Sequence, residues 1–583
     1  MTRTRLTADI AVIGGGLGGI AAALAAADAG SSVVLTAAEP MIGGQVTSQL
    51  TAPLDEHPLV ESAGVTATYR RFRDLVRAAC GGAANPGEGW VSRLCFEPLV
   101  GLDVLEGMLE QHLAAGRIRL FTGHTPVRAV LGAGPDPRIE AVELQGPGGS
   151  LLVLSAGAFI DATETGDLLP LTGTAWVIGS EGTDAYGEPD AVPGPADPRA
   201  EQSFTWVAAV VREPHALPVG PAPESYARLR DSQPFSLDLD GWDGETHRYR
   251  FFHDGPDGKP PFWEYRRIRT AASGKPEAAV INWAGNDYSA RGLVADPERA
   301  TREARNLTLA FLHWLRTEVP RDPEDGQGPL GTGRGYPELR LAPELSGTPD
   351  GLAAAPYVRE SRRLANPDPV TFHDLVAGPD GLARPVPDSV GIAWYHADLH
   401  PRVGHPRTVF SETAPFSIPA RALVPADGVG PANLVMGAKN LAATQVAAAA
   451  YRLQPGEWAI GEAAGVIAAA AVAAAGSAPR HSVDSPAGTD SPAGSAPRHS
   501  VDSPAGTDSP AGPGTGAPTG RPASARGIVR DPGRLRAVQD ALPARGAPIA
   551  WPEGAVAHPT VLPPAVSPAV PPLVPSSTEI PSA

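Results

Sequence analysis

The sequence feature that most restricts the fold is a glycine-rich turn between a short apolar segment and an alanine-rich one. Residues 14–19 read Gly-Gly-Gly-Leu-Gly-Gly, which satisfies the spacing GxGxxG. Residues 8–13 before the turn are nearly all apolar, as in a parallel strand that is covered on both faces. Residues 20–29 have the composition of a helix, and residues 32–35 form a second apolar run. Together these segments predict a βαβ unit of the Rossmann type.

The glycines of this turn each have a physical reason in such a unit. One allows the tight turn after the strand, one lets backbone approach a diphosphate, and one lets helix and strand pack closely. The first turn of the helix then presents unpaired N–H groups and a positive dipole end. We predict that a dinucleotide diphosphate binds here, on Gly14, Gly15, Gly16, Gly18 and Gly19. The alternative is a glycine-rich turn without a ligand.

The acidic residue that usually accompanies this turn is displaced. Dinucleotide-binding units place a carboxylate at the end of the second strand, where it binds ribose hydroxyls. Here the expected position is Ala37, and the nearest carboxylate is Glu39. We expect either that Glu39 reaches the ribose from a lengthened turn or that other groups hold the adenosine end. A solvated loop carboxylate is the alternative for Glu39.

A second glycine pair follows the second strand. Gly43 and Gly44 would let backbone pass close to a bulky ligand, and Gln45, Thr47 and Ser48 offer hydrogen bonds to it. An ordinary NAD-binding unit has no such segment, whereas in a flavin fold it lies along the diphosphate and the ring system. The pair therefore favours FAD over NAD, and a simple Gly-Gly turn is the alternative.

Charge and cysteine content exclude several classes of protein. The 583-residue chain has a formal net charge of −17, and an acidic surface repels nucleic acid and anionic membranes. Cys80 and Cys95 form no CxxC pair and are too few for a four-cysteine iron–sulfur cluster. Asp9 interrupts the N-terminal run, and the apolar run 463–475 is too short to span a bilayer. We therefore expect a cytoplasmic protein that binds neither nucleic acid nor membrane.

Composition changes near the C-terminus. Residues 477–494 recur identically as 495–512 and are rich in Ser, Pro, Gly and Asp, which do not build a packed core. We expect a low-complexity linker over 476–530 and a disordered tail over 553–583. Apolar residues return at 531–552, where we expect a short segment that docks on the body of the protein.

Further segments are typical of one group of flavoproteins. They are IGGQVTSQ (42–49), DEHP (55–58), GWVSRLCFEP (89–98), DATETGDLLPL (161–171), YVRESRRL (357–364), GIAWYHADLHP (391–401), IPARALVP (418–425), NLVMGAKN (433–440) and YRLQPGEWAIGEAAG (451–465). With them the chain resembles the FAD-dependent oxidoreductases that have a glutathione-reductase-like flavin fold. The resemblance is to a bacterial and fungal group in which some members are labelled xanthan lyase. It covers most of residues 8–475, although that family normally has an acidic residue near position 37.

The resemblance implies an α/β fold with a Rossmann-like FAD-binding domain and a discontinuous α+β substrate domain. We expect the FAD-binding domain to comprise residues 8–60, 102–170 and 415–475, and the substrate domain to comprise 61–101 and 171–414. FAD is the implied cofactor. Besides the glycine turn, the resemblance implies contacts to it from Ala162, Thr163, Gly437, Lys439, Asn440 and Pro455.

The role of the last helix in this scheme is electrostatic. A helix that begins at Pro455 would direct the positive end of its dipole toward the pyrimidine edge of the flavin and stabilise negative charge there. Lys439 would lie near N1 of the flavin. The alternatives are a helix that is buried for packing alone and a solvated loop lysine.

Candidate catalytic groups come from the same motifs. His57 could move a proton during substrate oxidation, and a structural histidine is the alternative. Arg93 and Arg359 could bind a substrate carboxylate, or pair with nearby acids. The cluster His396-Ala397-Asp398-Leu399-His400 has polar residues at alternate positions, which metal ligands or one face of a strand would both explain. We predict no metal.

These features predict a flavoenzyme that transfers a hydride from a small organic substrate to FAD, with oxygen or another acceptor reoxidising the flavin. One alternative is a flavin monooxygenase that uses NAD(P)H and oxygen. Another is a flavin-binding protein without catalysis that serves as a scaffold. An NAD-only dehydrogenase would leave the second glycine pair unexplained.

Overall fold

The computed structural model describes residues 2–134, 136–240, 245–255, 257–379, 381–476, 523–552 and 555. The duplicated segment 477–512 and nearly all of the tail over 553–583 lie outside these residues, so the expectations for them stay predictions.

The strands of the described chain lie between residues 3 and 436. They are β1 Arg3–Ile13, β2 Val33–Thr36, β3 Ile118–Phe121, β4 Thr125–Leu131, β5 Ile139–Gln145, β6 Leu151–Asp161, β7 Trp176–Val177, β8 Phe204–Thr205, β9 Ala208–Arg212, β10 Asp238–Asp240, β11 Thr246–Arg248, β12 Arg267–Arg269, β13 Ala278–Ile281, β14 Asp287–Tyr288, β15 Leu339–Leu341, β16 Arg363–Leu364, β17 Ser389–Ala393, β18 Ala397–Leu399, β19 Val409–Ser411, β20 Phe416–Pro419 and β21 Leu434–Met436.

The α-helices are α1 Leu17–Asp28, α2 Ala67–Ala79, α3 Pro98–Ala114, α4 Leu168–Leu171, α5 Thr183–Tyr186, α6 Tyr226–Ser232, α7 Phe262–Tyr265, α8 Pro297–Thr317, α9 Pro343–Ser346, α10 Gln445–Tyr451, α11 Gln454–Ala474, α12 Ala525–Arg530 and α13 Pro532–Ala544. Single 3₁₀ turns lie at Gly44–Val46, Pro58–Glu61, Pro147–Gly149, Ala271–Ser273, Ala284–Asn286, Pro323–Asp325, Phe372–Asp374 and Ala420–Ala422.

A seven-stranded sheet positions the glycine turn. Its order is β3-β2-β1-β6-β5-β4, with β21 also paired to β6. The pairs β1–β2, β2–β3, β1–β6 and β6–β21 are parallel, whereas the pairs β5–β6 and β4–β5 are antiparallel. Ile13 pairs with both Thr36 and Asp161, and Asp161 also pairs with Met436. The carboxyl ends of four strands therefore meet at one edge, where ligands of open α/β sheets bind. The α/β prediction with a Rossmann-type sheet is confirmed.

Two apolar helices lie against each other on this sheet. Both α1 and α11 are buried over almost all of their length. A Cβ added at Gly461 would lie 2.0 Å from the carbonyl oxygen of Gly18, and one at Gly465 would lie 2.4 Å from that of Ala22. Small residues thus let the two backbones touch. By length and composition α11 could cross a membrane, but it is packed inside the protein and is longer than the 463–475 run.

A second body lies between β6 and β21 in the sequence. Its sheet has the order β12-β13-β9-β15 and is antiparallel throughout. The amphipathic helix α8 packs Leu307, Phe311 and Leu315 into an apolar core that is rich in aromatic side chains. The absence of βαβ rhythm over 171–410 in the sequence reflects this antiparallel arrangement.

The C-terminal helices α12 and α13 pack on the body. Val538 and Leu542 are buried, and the Nε of Arg545 lies 2.6 Å from the buried carboxylate of Glu462 on α11. Beyond α13, the indole Nε1 of Trp551 donates to the carbonyl oxygen of Phe416 at 3.0 Å. These contacts hold the segment after residue 523 against the outer side of α11.

Candidate functional site

A cavity of about 300 Å³ opens at the carboxyl edge of the main sheet. The glycine turn, the ends of β2 and β6, and loops of the second body line it. Its lining includes Gly14, Gly15, Gly16, Ala38, Glu39, His124, Ala162, Thr163, Glu164, Asp167, Val294, Thr301 and Arg362. The cavity therefore brings the glycine turn together with Glu39 and the turn after β6.

The glycines of the turn divide into two kinds. Gly14 has φ 114°, and a Cβ there would lie 2.0 Å from the carbonyl oxygen of Ala162. A Cβ at Gly18 would lie 2.1 Å from the oxygen of Gly437, and one at Gly19 would lie 1.9 Å from that of Gly14. Those three glycines allow backbone to pack on backbone. Gly16 differs, because a Cβ there would meet only the ends of two glutamate side chains.

The second glycine pair, Gly43 and Gly44, packs against the glycine turn. Gly43 and Gly44 have φ values of 106° and 51°, and the Gly43 N–H donates to the carbonyl oxygen of Gly15 at 2.7 Å. A Cβ at Gly44 would lie 2.9 Å from the Cα of Gly16, so the two backbones form one glycine-lined cradle. The Oγ of Ser48 donates to the Gly44 carbonyl oxygen at 3.3 Å and stabilises the turn.

Two carboxylates and a lysine lie at the N-terminus of α1. Glu457 of α11 accepts from the Gly18 N–H at 3.4 Å, and Glu164 approaches Gly16. The Nζ of Lys439 lies 2.5 Å from Glu164 and 3.6 Å from Glu457. Burial lowers the pKa of Lys439, but the two carboxylates outweigh it and the pKa is raised. Lys439 is therefore a buried cation, as a diphosphate site needs.

These side chains fit a diphosphate. Only the carboxylate ends of Glu164 and Glu457 would meet a Cβ at Gly16, so an entering phosphate displaces side-chain carboxylates and not backbone. Displacement of Glu164 would leave Lys439 as the countercharge for the phosphate. Sequence reasoning missed Glu164 and Glu457 because they lie about 150 and 440 residues after the glycine turn.

The turn after β6 is held by its own aspartate. Asp161 accepts from the N–H and Oγ1 of Thr163 at 3.1 and 2.7 Å, and from the N–H of Leu168 at 3.0 Å. Burial raises its pKa to about 7 against these hydrogen bonds. The Asp161 carbonyl oxygen accepts from Gly437 N–H at 2.8 Å and from Asn440 Nδ2 at 3.0 Å. This explains why the segments with Ala162, Thr163, Gly437 and Asn440 lie together beside the cavity.

Glu39 lines the same cavity from the turn after β2. Burial, and secondarily the charge of Glu164, raises its pKa to about 7. Ala37 is buried, and its Cβ would be 2.6 Å from a Cβ at Gly15. The usual acidic position therefore packs on the glycine turn, while the carboxylate two residues later faces the cavity. The assignment of Glu39 to the ribose stays a prediction.

Replacing Glu39 by alanine should weaken FAD binding about tenfold, the effect of losing one hydrogen bond to a charged group. Because the Glu39 pKa is raised to about 7, its carboxylate is ionised above that pH and protonated below it. FAD affinity of the wild type should fall as the pH drops through 7, and this part of the pH dependence should vanish in Glu39→Ala. Titration of apoprotein with FAD, followed by protein fluorescence, measures both effects. Glu106→Ala, on the exposed face of α3, is the control. An equal affinity for Glu39→Ala and Glu106→Ala would contradict the assignment.

The N-terminus of α11 carries unpaired polar groups that fit the edge of a flavin. Pro455 stands in the first turn, and the side chain of Gln454 accepts from the Asp55 N–H at 3.1 Å. The Nε2 of Gln454 and the Oε1 atoms of Gln45 and Gln49 are buried without a hydrogen-bond partner in the described chain. Donors and acceptors of this kind match the alternating carbonyl and N–H groups of a pyrimidine edge.

His57 and Arg93, two of the predicted catalytic residues, lie in different environments. His57 is buried between the rings of Trp394 and Trp551, at 5.9 and 5.5 Å, and burial lowers its pKa to about 3. Its Nε2 lies 3.3 Å from the Gly64 carbonyl oxygen. Arg93 is exposed at the surface. A histidine in this environment stays neutral and is a weak base, so the surroundings of His57 favour a structural role.

Arg359 belongs to a buried charge network. Its Nη2 lies 3.0 Å from Asp287, and its Nη1 donates to the Ser203 carbonyl oxygen at 3.1 Å. Asp287 also lies 2.6 Å from Nδ1 of His400, whose Nε2 is 3.4 Å from Asp398. Asp398 in turn pairs with Arg452 at 2.7 Å. Burial and Arg359 lower the His400 pKa, but the two carboxylates outweigh them and raise it.

This network explains the HxDxH pattern. Asp398 lies on β18, and His400 follows the strand. His400 pairs with Asp398 and with Asp287, and no sequence motif marks Asp287. In the described chain, the group with metal-ligand geometry is elsewhere, at His253, Asp322 and Asp325. There the Asp322 carboxylate already accepts the N–H groups of residues 251–253.

Comparisons with known proteins identify one family. A family model described as FAD dependent oxidoreductase matches residues 9–487. No curated protein matches the chain. Among solved structures, the chain is similar to L-proline dehydrogenase from P. horikoshii, with 14% identity, 31% of this chain, 25% of that chain and a TM-score of 0.18. For the myxobacterial chondrochloren halogenase CndH the values are 17%, 36%, 45% and 0.21.

A third solved structure is 3-ketosteroid-Δ4-(5α)-dehydrogenase from Rhodococcus jostii RHA1. It has 13% identity, with 35% of this chain and 56% of that chain covered and a TM-score of 0.19. The chain thus spans between a quarter and just over half of the length of these three structures.

Proposed function

The chain belongs to the FAD dependent oxidoreductase family, and we propose that within this family it oxidises a small organic substrate by hydride transfer to FAD. It is an enzyme, and FAD is its cofactor, so the scaffold alternative is set aside. Nothing in the comparisons supports the xanthan lyase label. The finer proposal is a dehydrogenase or oxidase, with oxygen or another acceptor taking the electrons.

We also propose that the division of the chain into two domains follows the two bodies. Residues 8–60, 102–170 and 415–475 would bind FAD, and residues 61–101 and 171–414 would receive the substrate. The supporting observation is that the main sheet and the glycine cradle belong to the first set, while the antiparallel sheet belongs to the second.

The observation that carries the proposed reaction is the buried network around His400. Gln45, next to the second glycine pair, donates from Nε2 to the Arg452 carbonyl oxygen at 3.0 Å. Arg452 pairs with Asp398, which faces His400. A titratable imidazole with two carboxylate neighbours is thereby connected to the segment that we assign to the flavin. A buried base near the cofactor is what removal of a hydride and a proton requires.

Different residues of the chain have separate roles in the transfer of the hydride and the proton. Bound FAD supplies the two-electron acceptor of the reaction. Asp287 fixes the imidazole of His400 through Nδ1 and leaves Nε2 to take a proton from a substrate hydroxyl or amine. Asp398 then stabilises the proton on Nε2, and Arg359 and Arg452 keep the two aspartates ionised. Burial raises the pKa values of both aspartates, but Arg359 and His400 lower that of Asp287 and His400 and Arg452 lower that of Asp398, so that both are lowered.

Replacing His400 by asparagine should lower kcat by about 10²- to 10⁴-fold, the usual range for loss of a general base. Because the neutral imidazole accepts the proton, wild-type kcat/KM should rise with pH through the His400 pKa, which Asp398 and Asp287 raise above that of an ordinary histidine. Asp398→Asn should move that rise to lower pH, since one carboxylate that raises the pKa is lost. Anaerobic flavin reduction by small alcohols, amines and hydroxy acids provides the assay.

The control for this experiment is His373→Asn, at an exposed histidine whose Nε2 lies 3.1 Å from the Tyr186 carbonyl oxygen, outside this network. Its kcat and pH profile should match the wild type. Rapid reduction by NAD(P)H, with no organic donor active, would contradict the proposal and favour a monooxygenase. A colourless protein that takes up no FAD would contradict the assigned glycine cradle.

A further inference from the structure

Arg266, at the junction of the two bodies, is a buried cation with an incomplete set of partners. It lies at the end of α7, just before β12, and is 8% exposed. Its Nη2 is 3.6 Å from Asp55, whereas its Nε and Nη1 are buried without a hydrogen-bond partner in the described chain. Among the described arginines with an unpaired buried nitrogen, only Arg266 has two. Burying a cation without a full set of hydrogen-bond partners costs free energy of folding.

The surroundings of Arg266 connect it to the proposed flavin site. The backbone N–H of its partner Asp55 donates a hydrogen bond to Oε1 of Gln454, the first residue of α11. The guanidinium lies 5.1 Å from the ring centre of Tyr265, and Tyr357 and Tyr395 also interact with it electrostatically. The unpaired donors are thus enclosed by aromatic side chains close to the N-terminus of α11.

Arg266 differs from the two arginines of the His400 network in how it is paired. Arg359 and Arg452 lie 3.0 and 2.7 Å from Asp287 and Asp398, and each has a single buried nitrogen, Nε, without a hydrogen-bond partner in the described chain. Arg266 lies 3.6 Å from Asp55 and has two such nitrogens, so it has the donors that a further anion would need.

We propose that Arg266 binds a carboxylate group of the substrate, and that the enzyme therefore acts on an organic acid. This inference rests on the proposed function, because it places the substrate beside the flavin and His400. It differs from the expectation that Arg93 or Arg359 binds the carboxylate, since Arg93 is exposed and both terminal nitrogens of Arg359 already contact Asp287, Ser203 and Thr205. The tyrosines around Arg266 favour an acid with an apolar or aromatic part.

The test measures anion binding to the oxidised holoenzyme without turnover. Benzoate and acetate, and their neutral counterparts benzamide and acetamide, are titrated while the visible spectrum of the bound flavin is followed. We expect the wild type to bind at least one acid about tenfold or more tightly than its amide, as a hydrogen bond to a charged group implies. Arg266→Met should lose this preference, and Arg266→Lys should keep part of it. Arg199→Met, at a surface arginine, is the control and should behave as the wild type.

The outcomes separate this inference from the proposed function. If neither acid binds better than its amide to the wild type, the carboxylate site is wrong even when the enzyme oxidises a donor. If Arg266→Met keeps the preference but loses FAD affinity, Arg266 contacts the cofactor and the inference is overturned. Should Arg266→Met not fold, Arg266→Lys and the wild-type acid-to-amide ratio decide. Protein that binds benzoate but is reduced by no donor would contradict the proposed function alone.

Discussion

Replacing Gly16 by alanine is expected to weaken FAD binding about 30-fold, or about 2 kcal/mol, while the fold stays intact. The reason is that Gly16 alone among the turn glycines leaves its backbone open toward the cradle. A Cβ at Gly16 would lie 2.9 Å from Oε1 of Glu164 and 3.2 Å from Oε1 of Glu457, which are both ends of flexible side chains. Its φ of −69° suits any residue. The methyl group would instead occupy the space into which a phosphate must come.

Calorimetric titration of apoprotein with FAD gives the affinity, and thermal unfolding without FAD gives the stability. Gly107→Ala, at an exposed helical glycine whose Cβ would meet nothing within 4 Å, is the matched control and should bind FAD as the wild type does. An unchanged affinity for Gly16→Ala would mean that the diphosphate does not approach this backbone. A large loss of stability in the apoprotein would mean that Gly16 serves packing, as Gly14, Gly18 and Gly19 do.

The first βαβ unit could be predicted because its signals are local. Apolar residues 8–13 form the end of β1, and residues 32–35 coincide closely with β2. The helix was expected over 20–29 but begins at Leu17. Gly18 and Gly19 are poor helix formers, yet their small size permits the contacts with Gly437 and Gly14 that hold the first turn. Tertiary packing thus outweighs local propensity.

The composition of the site could be predicted only in part, because its residues come from distant parts of the chain. Glycine spacing selected the cradle, but no local pattern connects it to Glu164, Lys439 and Glu457, which sheet pairing brings to the same edge. The alternating HxDxH residues suggested a metal or a plain strand. Asp287, which pairs with His400, lies more than a hundred residues earlier, where no motif marks it.

Arg266 shows the limit of motif reasoning most clearly. Arg93 and Arg359 were selected because they stand in family-like segments, whereas Arg266 stands outside all of them. What distinguishes Arg266 is the state of its donors, which only the folded protein defines. Likewise, burial of His57 between two tryptophans, one of them from the C-terminal segment, has no counterpart in the sequence around it.

Replacing Gly461 by alanine is expected to lower the free energy of unfolding by about 3 kcal/mol or more, at the upper end of overpacking effects. The new Cβ would lie 2.0 Å from the Gly18 carbonyl oxygen and 2.6 Å from its carbonyl carbon and Cα. These atoms are backbone, and α1 is buried on all sides, so neither helix can move away without opening the core. FAD affinity should fall too, because separating α11 from α1 carries Gln454 and Glu457 away from the glycine turn.

Gly107→Ala is again the matched control, since it makes the same substitution inside a helix but in open space. There alanine should stabilise the protein by up to about 1 kcal/mol through its higher helix propensity. Urea unfolding of both apoprotein variants measures the change in the free energy of unfolding, which should be negative for Gly461→Ala and positive for Gly107→Ala. If Gly461→Ala were as stable as the wild type, α1 and α11 would not be in backbone contact. The position of the α11 N-terminus beside the glycine turn, on which the flavin site depends, would then be wrong as well.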